Sequence, residues 1–213
     1  MADTFSTETS TAASLKTTTG VRQLAGLCFL LLAAQFMTVI MLAAAMVPDY
    51  DFNAAAISDL GVFPETSLLF NASLFVVGIL NILGGYAFYR YHGQRWLFAT
   101  FAIAGLGAVG TALVSLNVSD VHGLFALVAF LFFNLQAIGT ATRLDGAMRA
   151  LSIVAGVLGL AFVVVMAIGD GGNTAVFGPI GHGGTERMIV YPVMLWMVAF
   201  GGYLLGTRAD TTA

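Results

Sequence analysis

The chain has 213 residues, of which 59% fall in the apolar set AVILMFWYC and only 9% are charged, with a formal net charge of −3. An ordinary soluble domain carries roughly 25% charged residues, so eight Lys/Arg and eleven Asp/Glu cannot cover a folded surface of this size, and a water-soluble globule is excluded. The acidic balance and the lack of a Lys/Arg cluster exclude nucleic acid as a partner, and the single cysteine, Cys28, excludes an intramolecular disulfide.

Residues 1–21 are rich in Thr, Ser and Ala, show no apolar period, and read as a disordered polar cytoplasmic tail. The apolar run over 22–47 follows Lys16 and Arg22 and is about twice as long as the core of a signal peptide, so it reads as a retained first span. Further nearly uncharged runs follow at about 67–89, 95–116, 121–142, 147–169 and 188–207, each long enough to cross about 30 Å of hydrocarbon. None shows the alternation of a barrel strand, and backbone groups in lipid must be satisfied within the segment, so the fold class is an all-α integral membrane protein. A bundle of six transmembrane helices forms one domain over 22–207, and 208–213 is a short cytoplasmic tail. Glycines within the runs, such as Gly78, Gly105, Gly156 and Gly201, are expected to be seams where helices approach closely.

Basic residues orient the bundle. Lys16, Arg22, Arg90, Arg95, Arg143, Arg149 and Arg208 fall on one side of the spans and only Arg187 on the other, which predicts both termini cytoplasmic and three outward connections. Those outward connections hold Asp49, Asp51, Asp59, Glu65, Asp120, Asp170 and Glu186, with His122 and His182. Ionisable groups at the membrane are costly unless they pair or work, so this end carries the candidate site. Candidate catalytic residues are Asp59, His122, His182 and Glu186, and candidate binding residues are Ser58, Asn71, Asp120 and Arg187. Thr185 reads as the cap of the sixth helix, and Arg187 as a tie to Asp59 or Asp120.

The stretches Ile57-Ser58-Asp59-Leu60-Gly61, Phe70-Asn71-Ala72-Ser73, His122-Gly123 and Gly184-Thr185-Glu186-Arg187-Met188-Ile189-Val190-Tyr191-Pro192, followed by Leu195-Trp196, resemble the domain-of-unknown-function 998 family over about residues 22–207. The resemblance implies a small multi-helix membrane protein and no particular activity. The chain is also distantly similar to the alkaline ceramidase-like membrane hydrolases, which use Ser, Asp and His at helix ends, but it lacks their third histidine and any His-x-x-x-His pair.

Three functions follow from these residues: a non-catalytic structural, sensory or accessory membrane protein, read first; a membrane-interface hydrolase or transferase acting on lipid-like substrates; and a small-molecule carrier. The carrier suffers from having no charge at mid-span. No cofactor motif is present, and zinc would have only His122 and His182 with a carboxylate. The bilayer is the expected partner, with a second copy or another membrane protein left open.

Overall fold

A computed structural model describes the backbone of residues 2–119 and 121–206, with side chains from residue 19 onward. All long elements among the described residues are helices: α1 Ala2–Met46, α2 Ser67–His92, α3 Arg95–Leu113, α4 Val121–Thr140, α5 Gly146–Asp170 and α6 Gly181–Gly206. Six helical segments are long and apolar enough to cross a membrane, the first of them Thr19–Met46, so the chain is a multi-pass membrane protein. Asp120 lies outside the described residues.

Two boundaries differ from the sequence reading. α1 runs back to Ala2 through the stretch whose composition predicts disorder. Thr, Ser and Ala lack an apolar face there, but a helix propagated from a stable span adds one hydrogen bond per residue without a new nucleus. The sixth helix begins at Gly181, seven residues before the apolar run at 188, because polar residues 182–187 are helical and mostly buried rather than loop.

Each helix packs on the next in sequence, and α6 returns to α1, so the six close into a ring. Without water to drive helices together in lipid, the contact depends on close backbone approach and interhelical hydrogen bonds. Glycine permits the approach: a Cβ on Gly78 of α2 would sit 2.5 Å from the Gly105 carbonyl oxygen of α3, and one on Gly201 of α6 would sit 2.7 Å from the Gly26 carbonyl oxygen of α1. Buried amides supply the bonds. Asn81 and Gln136 exchange hydrogen bonds of 3.0 and 3.2 Å between α2 and α4, and Trp196 donates to Ser152 at 2.7 Å between α6 and α5. These mid-span polar groups are committed to one another.

The connections 47–66, 114–119 and 171–180 gather at one end, the acidic end, while those at 93–94 and 141–145 carry the flanking arginines at the opposite, basic end. Replacing Gly78 by Leu should lower stability by about 1–3 kcal/mol, because the side chain meets backbone that cannot move aside. Gly202, with open space where a Cβ would go, should accept Leu without loss. Thermal unfolding in a mild detergent distinguishes the two; equal midpoints would contradict the seam.

Candidate functional site

At the acidic end the chain between α1 and α2 folds back onto the start of α6. Gly181 and Gly183 permit this: a Cβ on Gly181 would run into the Asn53 carbonyl and one on Gly183 into the Ala55 carbonyl, and Gly181 also has φ +66. The Gly183 N–H donates to the Asn53 carbonyl at 2.8 Å. Thr185 is one turn inside the helix rather than its cap, with its hydroxyl donating to the Gly181 carbonyl at 2.9 Å.

Glu186 and Arg187 then hold the loop from two sides. The Arg187 guanidinium donates through Nη1 to the carbonyls of Phe52, Ala55 and Gly183 at 2.9, 2.9 and 2.8 Å, and through Nη2 to the Tyr50 hydroxyl at 2.8 Å. Two Nη1 hydrogens serve three carbonyls, so one is shared. The cation also lies over the Phe52 and Tyr50 rings, 4.8 and 5.6 Å from their centroids. The expected tie from Arg187 to Asp59 is not made: carbonyl dipoles and aromatic faces solvate the guanidinium instead. Burial raises the Tyr50 pKa above its ordinary value, against the opposing pull of Arg187, which keeps the hydroxyl protonated as a donor to the Ala56 carbonyl at 2.7 Å.

Glu186 faces the other way. Its Oε2 accepts the Ile57 N–H at 2.6 Å, and Asp59 Oδ2 accepts the Ala56 N–H at 2.8 Å, so two carboxylates shape the turn Ser58–Gly61 that follows. Arg187 therefore satisfies loop carbonyls and Glu186 the N–H of Ile57, where the loop passes from exposed at Phe52 to buried at Ala56 and Ile57.

This loop forms one wall of a cavity of about 340 Å³ whose other walls come from α4, α5 and α6. Ser58, Asp59, His122, His182 and Glu186, all candidates from the sequence, line it, joined by Asp170. His182 Nε2 and Asp170 Oδ1 are 3.2 Å apart with side chains 40% and 56% exposed, which places them at the mouth. His182 is thus in the first turn of α6 and paired, not in a solvated loop. Leu127, 47% exposed on the outer surface of the bundle, also lines the cavity, so the space reaches the lipid-facing side of α4.

His122 is the most constrained of these groups. The short turn after α3 lets its Nδ1 reach the Val114 carbonyl at 2.7 Å, one of the carbonyls left without a helical partner at the end of α3. A carbonyl only accepts, so Nδ1 carries a proton. The residue is 4% exposed, and Nε2 has no hydrogen-bond partner. Buried polar atoms are almost always paired, and this one is left unpaired in a residue that lines the cavity, although Nε2 itself is closed off from it.

Two candidates do not join the cavity. Asn71 donates to the Gly61 carbonyl at 2.9 Å and lines a separate groove between α2 and α3, and Arg187 is committed to the loop behind the wall. Among the described residues no three His, Cys, Asp or Glu side chains gather as a metal-ligand set. Asp170 lies outside the candidate set read from the sequence; its signal is a carboxylate at the C-terminal end of an apolar helix, where the helix dipole disfavours it.

Arg187→Lys should cost about 2–3 kcal/mol, since an ammonium cannot reach the four acceptors the guanidinium spans. Hydrogen exchange should show residues 50–57 losing protection first, and unchanged protection there would contradict the clamp.

The chain belongs to a family of proteins of unknown function, DUF998, whose family model matches residues 24–203. No curated protein and no solved structure matches it.

Proposed function

For this member of a family without an assigned activity, we propose a non-catalytic sensory or accessory role in the cell membrane, exercised by binding a lipid-like ligand in an outward-facing cavity. The observation that carries the reading is His122: a buried imidazole in the lining of the cavity whose Nδ1 is fixed by the Val114 carbonyl and whose Nε2 lacks a partner. Basic residues flanking the other ends of the helices support an orientation with the acidic end outward and both termini in the cytoplasm. A ligand then enters from the outer leaflet between α4 and α5, past Leu127.

The same imidazole favours a second reading, a hydrolase or transferase on lipid-like substrates, in which His122 Nε2 takes a proton from water or a substrate hydroxyl.

Wild-type protein purified in a nonionic detergent should carry about one extractable amphiphile per chain by mass spectrometry, and His122→Ala should lose most of it. Wild type that carries none, and takes up none when bilayer lipid is added back, contradicts the binding role. Release of ester or amide products by wild type, lost in His122→Gln, would move the assignment to the hydrolase. For orientation, Asn173→Cys in a Cys28→Ala background should react with a membrane-impermeant maleimide on intact cells, whereas Arg149→Cys should react only after permeabilisation; the reverse pattern inverts the topology.

A further inference from the structure

The basic end carries a second polar space, at the opposite end of the bundle from the acidic cavity. It is an open pocket of about 500 Å³ lined by His92 at the end of α2, by Thr142, Arg143, Leu144 and Asp145 of the turn between α4 and α5, and by Arg149 of α5. Leu144 is buried, whereas Arg143 and Arg149 are exposed. Among the described residues neither guanidinium makes an ion pair or a hydrogen bond. Arg22, Arg90, Arg95, Arg143 and Arg149 lie at this end, and Asp145 is the one described acid beside them. The end is short of negative charge, and two of its arginines meet in one pocket.

That pocket sits at the start of α5, where the helix dipole is positive. Asp145, the residue before the helix, makes no side-chain hydrogen bond to its first turn, so the first N–H groups of this 25-residue helix are not claimed by the cap. Guanidinium forks match the oxygens of a phosphate and can bind them in pairs. With His92 neutral, two arginines and one aspartate leave a single net positive charge, which complements the monoanion of a phosphodiester. A zwitterionic head would bring its own cation into a pocket that is already positive. Depth points to lipid as the source: Trp96, 48% exposed, lies 3.0 Å from where a Cβ on Gly139 would be, one turn before Arg143. Tryptophan so placed marks the level of the headgroups.

We infer that this pocket binds the phosphodiester of an anionic phospholipid in the leaflet at the basic end, with Arg143 and Arg149 holding the phosphate oxygens. The site is separate from the acidic cavity and does not depend on a ligand there.

The full chain, stripped of lipid in a nonionic maltoside detergent, is titrated with dioleoylphosphatidylglycerol and with dioleoylphosphatidylcholine, equal in chains and different in net charge, and bound lipid is counted by native mass spectrometry. Wild type should bind the phosphatidylglycerol at least about tenfold more tightly. Arg143→Gln with Arg149→Gln should bring the two lipids within about twofold of each other. Arg95→Gln, which removes an exposed arginine at the same end but outside the pocket, should leave the preference intact. Inorganic phosphate in large molar excess, at matched ionic strength, should not displace the lipid; displacement would make soluble phosphate the occupant and overturn the lipid assignment. Equal binding of the two lipids by wild type, a preference that survives the double substitution, or a loss in Arg95→Gln as large as in the double variant overturns the site.

Discussion

The acidic end of this protein is organised by two adjacent residues of α6 that point in opposite directions. Arg187 collects carbonyls from the chain between α1 and α2, and Glu186 accepts the Ile57 N–H from the same segment. Where that segment becomes buried, at Ala56 and Ile57, an unpaired backbone group would be costly. Charged side chains solve this because they supply several strong bonds from one atom group, and adjacency in the helix sends one to the carbonyls and the other to the N–H. The turn Ser58–Gly61 stays over the bundle only while that pairing holds. The cavity wall follows from it.

On the far wall the same economy of polar groups operates through His122. Its Nδ1 satisfies an orphan carbonyl at the end of α3, a structural task, and in doing so fixes the ring in the cavity lining with Nε2 unpaired. The His182–Asp170 pair at the mouth offsets a carboxylate that the dipole of α5 disfavours. Each polar side chain here balances a local cost of the fold. Below this layer the mid-span amides close on each other, Asn81 with Gln136, so no charged path continues through the bundle.

The helices were legible in the sequence because lipid imposes a length and an apolar composition that little else satisfies, and five of the six runs begin within a few residues of the structural helices. The sixth did not, since residues 182–187 are polar and glycine-rich, the composition of a loop, and are helical because the loop before α2 covers them. The candidate set was legible by a different route: histidines and carboxylates are so scarce that their presence at one end was informative. Composition alone could not separate Arg187 and Asn71, which hold the loop and the α2 groove, from Ser58, Asp59, His122, His182 and Glu186, which share a cavity. That separation depends on which way neighbouring side chains leave a helix.

The state of the His122 imidazole tests the site most directly, and with only three histidines in the chain its ring nitrogens can be assigned by nitrogen-15 NMR using His92 and His182 variants. The protein should show His122 protonated at Nδ1, with ring resonances that move when bilayer lipid is added back to delipidated protein. A His122 without a proton on Nδ1, or ring resonances indifferent to added lipid, would contradict a ligand site lined by that residue.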